Sequence, residues 1–187
     1  PTLILLVGAG LPFAYDEFSL SSWKALPPDE NARQGMELID EKWPDQAANS
    51  IYIVIETNGE DPLSEENLRV QYSYIVELLN DTRVSGGIGV GLPDSTMSVD
   101  QVVQFWSTPD AFLSSEQIAV RENFRNTFVG ENATFMSIQL KGVQTSVESR
   151  EMVEQIRNNK GDFLTNFSGE NDELLVAGFA AYNADNL

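Results

Sequence analysis

The chain has no cysteine and no histidine in its 187 residues, and it is poor in positive charge, with 11 Lys+Arg against 29 Asp+Glu. The first two absences exclude thiol nucleophiles, Ser-His-Asp triads, zinc sites of the usual kind and haem held by His or Cys. The lack of cysteine fits any redox compartment. The third disfavours a nucleic-acid partner, because phosphate binding needs clustered Lys and Arg, and it disfavours docking on anionic lipid. A net charge of -18 suits a salt-adapted source or an ordinary acidic surface. With 42% hydrophobic and 10% aromatic residues the chain is not a disordered segment. A domain of this size buries roughly 70% of its unfolded surface and needs no disulfide or metal to fold.

The first 15 residues, PTLILLVGAGLPFAY, carry no charge. A spanning helix needs about 20 apolar residues, and a signal peptide a basic start and a small-residue cleavage site. Residues 1–20 are therefore either the end of a membrane helix or a buried apolar segment of a core, in a chain that starts at Pro1 as an excised piece would. Residues 21–49 are a linker with one short amphipathic helix. Pro27 and Pro28 stiffen its entry, Asp29 is its expected N-cap, Ala32, Met36, Ile39 and Trp43 form one face, and Pro44 ends it.

From residue 50 the periodicity predicts β-α-β, an insert over 93–131, then β-α-β. IYIVIET at 51–57 reads as a central strand covered on both faces. A helix follows from about Ser64 to Asn80, with Leu68, Tyr72, Ile75, Val76 and Leu79 inward. VSGGIGVGL at 84–92 is a strand whose Val84, Ile88, Val90 and Leu92 share one face and whose small residues share the other. In the insert, Ser-x-x-Gln at 114–117 is a capping box opening a helix that carries Val120, Phe124 and Phe128 on one side. ATFMSIQL at 133–140 is a strand. Thr-x-x-Glu at 145–148 opens a helix to about Asn159 with Met152, Val153 and Ile156 inward, and LLVAGFAAY at 174–182 is the last strand. The expected fold is α+β: a ferredoxin-like βαβ-insert-βαβ sandwich over 50–187, an antiparallel four-stranded sheet with helices on one face.

No residue set carries catalysis, a cofactor or a metal. GGIGVG at 86–91 lacks both G-K-[ST] and G-x-G-x-x-G, and reads as a strand with one small face. The carboxylate pairs Asp29/Glu30, Glu65/Glu66 and Asp172/Glu173 sit where a cap, a helix dipole or a solvated loop accounts for them. GEND at 169–172 lacks calcium-loop spacing. Phe105, Trp106, Phe124 and Phe128 are core residues or the lining of a hydrophobic groove. Asn80, Asn132 and Asn166 begin N-x-[ST] triplets, glycan acceptors if the chain is exported.

The order of these features resembles the extracytoplasmic loop domain of MMPL-type transporters in the resistance-nodulation-division (RND) superfamily. Leu26, Pro27, Asp29, Ala32, Gly35, Leu38 and Trp43-Pro44 match the family's segment before the first strand, with Trp43 in place of the usual Phe. Val176, Gly178, Ala180 and Asp185 match its closing segment; the 93–131 insert is the least typical part. The resemblance implies no enzyme but a porter domain at the cell membrane, on its extracytoplasmic side. Its partners would be a hydrophobic or lipid-like substrate, a second loop domain and the membrane helices of the parent, whose buried acidic residues let proton flow drive export. The competing classes are a stand-alone exported ligand-binding or adhesion domain and a carbohydrate-active enzyme.

Overall fold

A computed structural model describes residues 49–167 and 172–186, together with 27–30, 33–35, 37 and 38. Residues 1–26 and the stripe Ala32, Met36, Ile39 and Trp43 lie outside the described residues. Pro27 to Glu30 form an exposed turn, and Arg33, Gln34, Gly35, Glu37 and Leu38 are helical.

The fold is α+β. Strands β1 (Ser50–Glu56), β2 (Val84–Gly89), β3 (Ala133–Leu140) and β4 (Glu173–Ala177) form one sheet in the order β2-β3-β1-β4, with every pairing antiparallel. Helix α1 (Glu65–Leu79) joins β1 to β2, and α4 (Val147–Leu164) joins β3 to β4. Helices α2 (Val99–Ser107) and α3 (Ser115–Phe128) fill the span between β2 and β3, and a short α5 (Phe179–Asp185) follows β4.

The period of two decides which side chains enter the core. Ile51, Ile53 and Ile55 of β1 and Met136, Ile138 and Leu140 of β3 are buried with Ile75 and Leu78 of α1 and Met152, Val153 and Ile156 of α4. The intervening Tyr52 is 43% exposed, so β1 is central in the sheet but covered on one face, not on both as expected. Residues 84–92 also depart from the expected alternation. Val84 pairs with Leu140 while Gly86 pairs with Gln139, so Ser85 is the extra residue of a bulge. Within the strand that single insertion reverses the side chains that follow it: Gly87 and Gly89 face the helices and Ile88 is 38% exposed, while Val90 and Leu92, beyond the strand end at Gly89, are buried. The small face still has its packing use, since a Cβ on Gly87 would lie 3.0 Å from Ile138 and one on Gly89 2.8 Å from Met136.

Two further boundaries are corrected. The cap of α4 is Ser146, whose hydroxyl accepts from the Ser149 N–H, rather than Thr145, and the helix runs on to Leu164. The apolar run 174–182 is not one strand. Gly178 takes φ 111°, ψ 174° and turns the chain from β4 into α5, where Ala180 and Ala181 are buried against the core.

Candidate functional site

The insert folds as a helical hairpin, and its sequence accounts for both helix starts. Ser98 and Ser114 each accept from the backbone N–H three residues on, at Gln101 and Gln117, and each glutamine returns the bond through its side-chain oxygen, at 2.8 and 2.9 Å. The box at Ser98 repeats the Ser-x-x-Gln pattern of Ser114; it is the signal that marks α2, the helix absent from the sequence expectation. A 3-10 turn, Asp110–Phe112, joins the two. Arg121 of α3, 8% exposed, reaches back across this turn. Its guanidinium donates to the carbonyls of Thr108 (2.6 Å) and Phe105 (3.3 Å) and pairs with Asp110. It thereby satisfies carbonyls that the end of α2 leaves unpaired and sets a cation at the negative end of the helix dipole.

A second apolar cluster lies beneath the hairpin: Leu68 of α1, Val90, Val102, Trp106 and Phe128. The Trp106 indole N–H donates to the Val90 carbonyl at 2.9 Å. Phe124 stacks on Phe128 at 4.7 Å, and Phe128 sits 4.9 Å from Phe135 on β3. Of the four aromatic candidates, Trp106 and Phe128 are thus buried in this cluster, and Phe124 packs against it. Phe105 meets Trp106 edge-on at 5.1 Å and lines an open cleft of about 690 Å³ between α2 and α3. The cleft is completed by Phe112, Leu113 and Val120, which no pattern in the sequence joins to Phe105. Phe112 is 80% and Val120 52% exposed. Gln101, Gln104 and Gln117 stand along it, and Glu116 is its one charged residue among the described residues.

Another cavity, of about 580 Å³, lies between α1 and α4. Tyr74 lines it, stacked on Phe163 with ring centroids 4.0 Å apart, and its buried hydroxyl has no hydrogen-bond partner among the described residues. Burial, with the Glu77 charge adding to it, pushes the Tyr74 phenol far above its ordinary range.

Among the described residues the resolved shifts of carboxylates are all downward, each held by neighbouring donors. Hydrogen bonds from Arg83 bring Asp81 to about 2; Thr96 lowers Asp94, and Arg157 lowers Asp185. Proton donation at neutral pH calls for the opposite shift. Glu65 pairs with Arg69 in the first turn of α1, and Asp172 accepts from the Asn58 N–H. Among the described residues no group of three or more acidic side chains could hold a metal ion, and no helix is long and apolar enough to cross a membrane. Asn80, Asn132 and Asn166 are all exposed.

No protein-family model matches the chain, and no curated protein matches it.

Proposed function

We propose that the chain is an extracytoplasmic domain of a proton-driven RND/MMPL-type transporter that exports hydrophobic or lipid-like substrates, built as a ferredoxin-like sandwich and contributing one wall of the substrate path. The observation that carries this reading is the strand order β2-β3-β1-β4 with α1 and α4 as the connections, the order that two interleaved βαβ units give. It stands beside an uncharged apolar lead and a proline-stiffened link ahead of the sheet. The residues that resemble the family's closing segment also have physical work here: Gly178 makes the strand-to-helix corner, Ala180 is buried, and Asp185 pairs with Arg157 at 2.7 Å. In this reading the domain does no covalent chemistry. It moves as a body with its neighbours to open and close a path, while membrane helices elsewhere in the parent couple proton flow to export.

A stand-alone exported binding domain is the second reading. The insert cleft favours it, because α2 and α3 form that cleft without help from another domain. The reading frame around the segment separates the two. Several spans of about 20 apolar residues on both sides, some carrying acidic residues, are expected for the transporter. A frame that closes near Leu187, with only a leader ahead of Pro1, would remove that reading and leave the binding domain.

A further inference from the structure

We propose that the cleft between α2 and α3 binds one single-chain amphiphile whose head is uncharged and accepts hydrogen bonds, such as an ester, an amide or a polyol. Three observations lead there. First, the walls made by Phe105, Phe112, Leu113 and Val120 are apolar, and a cleft of about 690 Å³ lies within the usual range for small-molecule sites. Phe112, at the turn, leaves most of its ring in water, a large exposed surface that a bound chain would cover.

Second, the two capping boxes fix the polarity of the cleft. Gln101 and Gln117 both line it, and each has its side-chain oxygen committed to the backbone N–H of its cap residue. An amide so anchored turns its NH2 group away from the cap, and neither nitrogen has another partner among the described residues. The cleft therefore offers two pre-oriented donors, on opposite helices, to a ligand that brings acceptors. Third, among the described residues its single charged lining residue is Glu116 and no cation lines it. A free carboxylate or phosphate head would meet that charge, and the -18 of the chain, without a lining Lys or Arg to compensate, since Arg121, which bonds the Phe105 and Thr108 carbonyls, is already paired with Asp110. An ammonium head would leave both amide donors unused.

The cleft goes beyond either reading of the whole chain, and the two fail separately: binding by the purified chain tests the cleft, and the reading frame tests the transporter. The probe is 1-lauroylglycerol below its micelle concentration, titrated calorimetrically into the 187-residue chain, with laurate as the anionic comparison. Expected are one saturable site per chain and at least tenfold weaker binding of laurate. The decisive variant is Gln101→Glu with Gln117→Glu. Glutamate keeps the acceptor oxygen of a capping box, so the helices stay capped, but it replaces the free donor with an acceptor. The double variant should hold its melting temperature and bind 1-lauroylglycerol at least tenfold more weakly. Val120→Glu, at an exposed position, should abolish binding. Absence of a saturable site, equal affinity for laurate, or an unweakened double variant would each overturn the proposal. So would a concentration-dependent dimer that buries Phe112 and excludes the probe.

Discussion

Gly178 gives the sharpest test of how the last strand becomes a helix. Two separate features forbid a side chain there. Its φ of 111° with ψ of 174° lies in a region that only glycine occupies readily, and holding another residue there costs about 1–3 kcal/mol. A Cβ would also stand 2.7 Å from the Ser50 carbonyl oxygen, an overlap with the backbone of the neighbouring central strand. Overpacking of that kind costs about 1–3 kcal/mol more, and the lower entropy of an unfolded alanine returns about 0.4–1 kcal/mol. Gly178→Ala should thus lose about 3 kcal/mol, a fall in melting temperature of roughly 6–12 °C for a chain of this length. Two other glycines separate the contributions. Gly142 has φ 80° with open space around it, so Gly142→Ala carries the backbone strain alone, about 1–2 kcal/mol before the same entropic offset. Gly91 has no positive φ, but its Cβ would meet the α1 backbone at Gln71, 2.6 Å away, so Gly91→Ala carries the clash alone. Urea unfolding of the three variants should rank Gly178→Ala below both others. A Gly178→Ala variant as stable as Gly142→Ala would show that the corner relaxes freely, and the account of a glycine-locked turn would fail.

Three further substitutions test the polar groups. Tyr74→Phe removes a buried hydroxyl that has no partner among the described residues, so thermal unfolding should show a gain of about 1 kcal/mol. The same residue sets an alkaline limit: the folded state holds the phenol proton while the unfolded chain releases it above pH about 10, so wild-type stability falls with pH there and Tyr74→Phe should fall less steeply. Arg121→Met keeps the packing of the stem but drops the bonds to the Thr108 and Phe105 carbonyls, a loss of about 2 kcal/mol, whereas Asp110→Asn, at an exposed partner, should cost no more than about 0.5 kcal/mol in the same denaturant assay. Asp81, held at about 2 by Arg83, contributes stability above the ordinary carboxylate range that is lost as pH falls through about 4 to 2. Melting temperatures of wild type and Asp81→Asn should accordingly differ at pH 6 and converge by pH 2.

The elements that could be read from sequence are those whose signal is local. β3 was expected at 133–140 and lies there to the residue, because its alternation is unbroken and turns bound it. The Ser64 and Ser114 caps are local in the same way, since the acceptor and the N–H it serves lie three residues apart. Departures begin where the deciding contact is with another strand or helix. Nothing within 84–92 announces that Ser85 drops out of the ladder; that depends on its pairing with Gln139 and Leu140. LLVAGFAAY suits a buried strand as well as a short helix, and the Ser50 carbonyl above Gly178 separates them. At the candidate site, the adjacent Phe105 and Trp106 draw attention as the strongest aromatic signal in the insert. Only the fold of the hairpin divides them, one into the cleft and the other onto the Val90 carbonyl.

The hairpin is an insertion in the chain but not a separate body in the fold. The Trp106 indole bonds to Val90 just beyond β2, the Tyr72 hydroxyl of α1 donates to the Met97 carbonyl at 3.3 Å, and Arg69 of α1 reaches Asp100 of α2 at 2.9 Å. Gly91 meets the α1 backbone so closely that no side chain fits between them. Beneath these links, Leu68, Val90 and Val102 share one buried cluster drawn from three segments. Swinging the hairpin away as a lid would break these bonds and expose that cluster together. Packed clusters of this kind shift between discrete arrangements rather than deform by degrees. Selection at the cleft then rests on the shape and donors already in place on α2 and α3, and any opening of a path rests on movement of the whole domain.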